Sequence, residues 1–454
     1  MISTNVHATL LLISAVLLTI PPRLVAGEPK APAKVWQPRL ERIQACLDKE
    51  LPSLEKLYYH LHSHPELAFD EVQTSARLAK ELAQLGFEVT TKVGGHGVVG
   101  VLKNGAGPTV MVRADMDALP ITENTGLPYA SKVRVRDKDG KDVGVMHACG
   151  HDIHMTSWVG TARTLVHLKD HWQGTLVFIG QPAEEVGGGA RRMIDDGLFK
   201  RFPRPDYCLG LHCAPNMPHG HIGYSEGLLL GNVDTIDITV RGVGGHGSAP
   251  HLTIDPVVIA ARIVLDLQTL VSRERNPQDP AVVTVGSIHG GTKHNIIPSE
   301  VKLQLTVRSF KDEVRQSLLE GIQRITKAAA MAAKAPEPTI HIEIDDWTPA
   351  LYNTPELAKK TATLFKNVLG NDSIHEVPPI MGGEDFSRYG RAGVPIFFYF
   401  LGTADPAKHL AAKKGGPALP GMHSEFYYPV PQPTIRTGVT SMSLAVLNLL
   451  KTVD

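Results

Sequence analysis

The sequence predicts an α/β protein in two units: a larger unit on a largely parallel sheet, and a ferredoxin-like β-α-β-β-α-β unit inserted into it. Three observations carry this. The chain has 454 residues, more than one hydrophobic core usually organises. Near-continuous apolar runs at 98–102, 109–113 and 175–179 alternate with helical or loop segments, as strands buried on both faces do. Between 234 and 345 the order becomes strand, helix, strand, strand, helix, strand, and α/β alternation resumes after Thr354.

From the beginning of the chain, residues 8–20 (ATLLLISAVLLTI) form an apolar run too short to span a bilayer comfortably, followed by the small residues Val25, Ala26 and Gly27. This predicts a signal peptide over 1–27 and export to the periplasm or the exterior. The departure is that residues 1–7 contain no Lys or Arg, which leaves a retained anchor as the alternative. A Pro-rich linker is expected at 29–38, then a helix at 40–61, a second at 72–85 stopped by Gly86, and a strand at 87–93. Strands at 98–102, 109–113, 175–179 and 207–212 complete the first part of the larger unit, 37–233. The inserted unit, 234–345, takes strands at 235–241, 282–288, 301–308 and 339–344 and helices at 255–271 and 314–333. Residues 346–454 return to the larger unit.

Lys plus Arg and Asp plus Glu both number 46, so no overall basic field exists to attract nucleic acid or anionic lipid. Beyond 8–20, no stretch is long and apolar enough to span a membrane. Four Cys (46, 149, 208 and 213) are too few for a disulfide scaffold. Cys208 and Cys213 are near enough in sequence to pair locally in an oxidising compartment.

Chemistry concentrates in His147-Ala148-Cys149-Gly150-His151-Asp152-Ile153-His154. Thiolate and imidazole two residues apart, in a glycine turn before a helix, suit a transition metal. A plain helix start with Asp152 near the cap is compatible with that. A Cys–His nucleophilic pair is the rival, but a thiol two residues from its base is rarely oriented for proton exchange. Strand 109–113 runs into Asp115 and Asp117, strand 175–179 into Glu184-Glu185 and a glycine-rich turn, and strand 207–212 into His212. Polar residues where strands end belong at the ligand-binding edge of an open α/β sheet. Adjacent glutamates are usually a solvated pair. Extended here after a buried strand, they would point in opposite directions, one to a metal and one to a water.

In their joint order, RADMDALPI, HACGHDIHM, QPAEEVGGGA, GLHCAPNMPHG, GVGGHGSAPH, HNIIPSEV, TVRSF, MGGEDFS and GMHSEFY resemble the co-catalytic metallopeptidase family of aminoacylase and carboxypeptidase G. Within it the likeness is to hippurate hydrolases, N-acyl-amino-acid amidohydrolases and plant auxin–amino-acid conjugate hydrolases. The resemblance implies a catalytic domain with an inserted lid and dimerisation domain, and two divalent metal ions, Mn or Zn. It implies Cys149, His151, Glu185, His212 and His423 as ligands, Glu184 as general base and Asp117 as the residue orienting a metal-bound group. His246 would cross a homodimer interface to stabilise the oxyanion, and His294, Asn295 and Arg308 would grip the substrate carboxylate. Other branches carry His where this chain has Asp115, and a bridging Asp where it has Cys149, which supports the acyl-amide branch. Glu384 receives no role, and His154, His171, His219, His221, His251 and His289 match no ligand position. The activity implied is hydrolysis of the amide bond of a small-molecule N-acyl amino acid. A carboxypeptidase or dipeptidase acting on short peptides and an exported metal-binding protein are the alternatives.

Overall fold

The computed structural model describes residues 33–137, 140–343 and 347–453. The expected signal peptide lies outside them, as does the boundary at 345. Among the described residues no helix is long and apolar enough to cross a membrane.

The first helix, α1 (Ala33–Ser63), begins inside the expected linker and carries Pro38 and Pro52 within it. An interior proline costs a helix about 3 kcal/mol. Here one face buries Trp36, Leu40, Ile43, Leu47, Leu54 and Leu61 in the main core, and tertiary packing of that face outweighs local propensity. After it come α2 (Val72–Gln84), β1 (Glu88–Val93), β2 (Gly97–Asn104), β3 (Thr109–Asp115), α3 (His151–His167), β4 (Trp172–Gln181), β5 (Tyr207–Pro218) and β6 (Ile222–Tyr224).

The inserted unit comprises β7 (Asn232–Arg241), α4 (Pro256–Ser272), β8 (Ala281–His289), β9 (Glu300–Ser309), α5 (Asp312–Ala332) and β10 (Thr339–Ile342). Its antiparallel sheet runs β8-β9-β7-β10, the split arrangement expected. Along β9, Val301, Leu303, Leu305 and Val307 are buried at alternate positions. They join Ile236, Ile238 and Val240 of β7 and the inner faces of both helices in a separate core. The chain leaves and re-enters side by side: Val233 and Thr348 exchange backbone hydrogen bonds of 2.8 and 3.0 Å.

Back in the larger unit are α6 (Pro355–Leu369), β11 (Ile374–Glu376), β12 (Ile396–Ala404), α7 (Pro406–Lys413) and α8 (Pro431–Leu449). The large sheet runs β1-β2-β4-β3-β5-β12-β6-β11. Its centre, β4-β3-β5-β12, is parallel, with antiparallel pairings toward both edges. Successive residues face opposite layers. Val110, Val112, Leu209 and Leu211 meet α1, α3 and α8 on one side, while Met111, Cys208 and Phe398 pack on the other. The same alternation excludes a local Cys208–Cys213 pairing. An odd separation along β5 puts the two thiols in different layers, and all four cysteines are free and buried.

Candidate metal centre

The parallel strands deliver their C-terminal ends to one edge, where β3 leads into Asp117 and β4 into Glu184-Glu185. His212 lies on β5 beside Phe400 of β12. His151 is the first residue of α3, preceded by Gly150 at φ 81°. A Cβ on Gly150 would lie 2.9 Å from the Cys213 sulfur, so this turn requires glycine. His423, at φ 61°, is held by its N–H on the Ala148 carbonyl at 2.9 Å.

The two glutamates are not extended, which corrects the expectation from sequence. They sit in a turn entered through Ala183 at φ 52°, whose N–H donates to buried Glu71 at 2.7 Å. The turn is fixed from below by Asp117. One carboxylate oxygen accepts the Glu184 N–H and the other the Glu185 N–H, both at 3.0 Å.

The five expected ligands converge. The Cys149 sulfur lies 3.4 Å from His212 Nε2 and 3.3 Å from His423 Nε2. His423 Nε2 is 3.4 Å from Glu185 Oε2, and His151 Nε2 is 3.8 Å from Glu185 Oε1. Bonds of about 2.0–2.3 Å around a tetrahedral cation put neighbouring donors roughly 3.3–3.8 Å apart. Cys149, His151 and His212 form one compact donor group, and Cys149, Glu185 and His423 a second, so the sulfur is common to both.

The tautomers agree. His151 Nδ1 donates to the Asp117 carbonyl at 2.7 Å and His212 Nδ1 to the Cys213 carbonyl at 2.8 Å, leaving each Nε2 lone pair for a metal. His151 Nε2 and Glu185 Oε1 are buried without a hydrogen-bond partner, a costly state unless an ion completes them. The donor set fits two cations. His154 does not join it: Nδ1 bonds Asp115 at 2.6 Å and Nε2 accepts the Cys213 N–H at 2.8 Å.

Burial and mutual repulsion favour the protonated forms of the acids in this pocket. Burial, then Glu384, Glu185 and Asp385, raise the Glu184 carboxyl well above the usual range, against Arg113. Burial pushes Glu185 up to about 7 despite His151, and burial with Glu185 and Glu184 raises the Cys149 thiol well above its ordinary value. His151 is lifted to about 10, burial being overcome by Asp115 and Asp117. Bound cations reverse this logic and take the protons' place. His212, lowered to about 3 chiefly by burial, is neutral already.

Sequence reasoning missed the layer beneath. Buried Arg113 bonds Asp115 at 2.6 Å, Glu384 at 2.7 Å and Asp385 at 3.2 Å, which gives Glu384 a place under Glu184. His62 of α1 is buried between Asp152 at 2.7 Å and Glu123 at 3.1 Å. Arg113 and Glu384 lie in the RADMDALPI and MGGEDFS stretches, but nothing local in the sequence pairs them, or His62 with Asp152.

Arg308 of β9, with Val233, Thr235 and Trp347, forms the wall of a cleft of about 280 Å³ opposite Cys149, Glu184, Glu185, His212 and His423. That volume suits a small molecule. Among the described residues the Arg308 guanidinium meets the Thr306 hydroxyl and the Met381 carbonyl, at 2.9 and 3.5 Å, rather than a carboxylate. His246, His294 and Asn295 are exposed and do not line this cleft. They gather on a separate ribbon, where Gly245–His246 pairs with Ile296–Ile297 and the Gly247 N–H meets the Asn295 carbonyl at 2.8 Å.

The profile described as Peptidase family M20/M25/M40 matches residues 111–414. A protein from Saccharolobus solfataricus called Thermostable carboxypeptidase 1 is 37% identical over 353 residues, 77% of this chain and 85% of that one. The Hippurate hydrolase of Campylobacter jejuni is 39% identical over 340 residues, 74% and 84% of the two chains. Among solved structures, the Bacillus subtilis YXEP protein, described as a dinuclear metal binding peptidase, superposes with a TM-score of 0.67 at 29% identity, covering 88% of this chain and 99% of that one.

Proposed function

The chain belongs to peptidase family M20/M25/M40, whose members hydrolyse amide bonds, and from that premise we propose that its substrates are N-acyl amino acids. One observation carries the reading. Five donors converge around Cys149, with Glu184 at their side and the Arg308 guanidinium across the same small cleft.

A pair of divalent cations held by Cys149, His151, Glu185, His212 and His423 would polarise the amide carbonyl and acidify a water. Glu184 receives the proton of the attacking water and returns it to the departing nitrogen. Asp117 keeps Glu184 and Glu185 at their heights by holding both backbone N–H groups. Arg308 binds the carboxylate of the amino-acid half, for which its planar fork is shaped. The family resemblance implies Zn or Mn, and between these the thiolate and imidazole donors favour Zn.

His246, with His294 and Asn295, acts on the cleft of a second copy, since none of the three lines the cleft of its own chain. The lid leaves Leu252, Val258 and Leu265 exposed at 72%, 56% and 69%, apolar surface that a homodimer would cover. The apolar run at 8–20 supports export.

A carboxypeptidase reading draws on the relative of that name. Hydrolysis of hippurate, acetyl-amino acids and dipeptides by protein loaded with Mn, Zn or Co separates the two. Faster turnover of the acyl amino acids supports the proposal, and turnover of dipeptides alone overturns it.

A further inference from the structure

Three successive backbone N–H groups, those of Ala183, Glu184 and Glu185, are taken up by buried carboxylates. Asp117 accepts the second and third. Glu71 accepts the first, its Oε1 lying 2.7 Å from the Ala183 nitrogen. We propose that Glu71 is a positioning residue for the hydrolysis: it fixes the left-handed backbone of Ala183 and so aims the Glu184 carboxylate into the cleft. This role rests on Glu184 being the base.

Ala183 is buried at φ 52°, a conformation that residues with a Cβ adopt rarely. Relaxation toward an ordinary right-handed or extended backbone would swing Glu184, which follows directly. A buried N–H without an acceptor is costly, so the Glu71 oxygen favours the one backbone geometry in which the amide reaches it. On the other side of the residue, the Ala183 carbonyl accepts the Gly189 N–H at 3.1 Å and closes the turn.

Glu71 is itself firmly placed. It directly precedes α2, and its carbonyl accepts the Ser75 N–H at 3.0 Å, as the start of that helix requires. Earlier in the same segment, the Glu66 carbonyl accepts the N–H of Ala118, next to Asp117, at 2.8 Å. The Glu66 carboxylate accepts the Gln73 and Thr74 N–H groups at 3.0 and 2.8 Å. Asp117 and Glu71, the two acceptors under the turn, are therefore tied to one another through residues 66–71. The second Glu71 oxygen, Oε2, is buried without a hydrogen-bond partner. Such a group costs stability, which marks Glu71 as serving the site rather than the fold.

The test compares metal-loaded, full-length wild type with Glu71→Ala, Glu71→Gln and the double variant Glu71→Ala/Ala183→Gly. Two readouts are taken: steady-state hydrolysis of hippurate or an acetyl-amino acid, and hydrogen–deuterium exchange of residues 181–190. A shift of about 1 Å at a reacting group can cost ~100-fold in rate. Glu71→Ala is therefore expected to lose ~10–100-fold in kcat with KM little changed, and its 181–190 amides should exchange faster. Gln keeps a carbonyl acceptor, and glycine adopts a positive φ without steric cost, so Glu71→Gln and the double variant should each recover most of kcat. Wild-type kcat or unchanged exchange in Glu71→Ala overturns the proposal. A Glu71→Gln variant as impaired as Glu71→Ala also overturns it, because charge rather than the hydrogen bond would then matter. So does a double variant no faster than Glu71→Ala, because the Ala183 backbone would not be the link. If Glu71→Ala fails to fold, Glu71→Leu, which fills the space without an acceptor, is read the same way. Glu184→Gln is assayed alongside. Wild-type turnover there overturns the reading of the base itself, whereas lost turnover there with full kcat in Glu71→Ala overturns only the role of Glu71.

Discussion

Asp117 and His151 are joined through the backbone. The Asp117 carbonyl accepts the His151 Nδ1 proton at 2.7 Å, while the Asp117 carboxylate accepts the N–H groups of Glu184 and Glu185. One residue thus sets the tautomer of one expected ligand and the position of another, and it also positions the expected base.

Replacing Asp117 by Ala leaves two backbone donors without their acceptor. Each such loss costs about 1–3 kcal/mol, and outer partners of metal ligands typically contribute ~10–100-fold in affinity. Asp117→Ala is therefore expected to weaken metal binding by at least tenfold while the chain stays folded. Titration with a metal-competing dye reads this, and wild-type affinity in the variant would remove Asp117 from the account.

Arg308 is expected to act in substrate binding. A hydrogen bond to a charged group contributes about 1.5–3 kcal/mol, so Arg308→Ala should raise KM roughly 10–100-fold for N-acyl amino acids. For an acyl amide lacking the carboxylate, the same substitution should change little. Equal losses on both substrates would contradict the assignment.

His62 makes stability depend on pH. Burial lowers its pKa, but hydrogen bonds to Asp152 and Glu123 overcome this and raise it to about 9, against about 6.5 in an unfolded chain. A raised pKa means the stabilisation is fully present below about pH 6.5 and disappears as pH climbs through 9. It is on the order of 3 kcal/mol. Urea unfolding of wild type and His62→Gln should show a gap at pH 6 that narrows by pH 10. A gap constant across that range would show that His62 is neutral.

His246 gives a test of assembly. Glu184→Gln and His246→Ala should each be inactive alone. Mixed and allowed to exchange subunits, they should regain up to about a quarter of wild-type activity, because half the dimers are mixed and each mixed dimer has one site with both residues. No recovery, with exchange verified by mass spectrometry, would place His246 outside the neighbouring cleft.

What the sequence made legible follows the range of the interactions. Cys149 and His151 sit two residues apart in a glycine turn, so their chemistry is visible in local spacing. His212 and His423 acquire meaning only from the order of distant stretches. The contact between Arg113 and Glu384 spans 271 residues, and although each lies in a motif stretch, nothing in the sequence pairs them. The start of α1 was misread because Pro38 is a local signal, whereas Trp36 and Leu40 are held by tertiary packing. The Glu184-Glu185 turn was misread because the acceptor that bends it, Asp117, lies 67 residues away.

The central claim is that Cys149, His151, Glu185, His212 and His423 hold two cations beside Glu184. Anomalous diffraction at the zinc edge from crystals of zinc-loaded Glu184→Gln tests it most directly, in a variant expected to lose ~10²–10⁴-fold in kcat. Two peaks flanking the Cys149 sulfur, with activity lost, are the expected result. Density at only one position near Cys149, or wild-type turnover by the variant, would contradict the account.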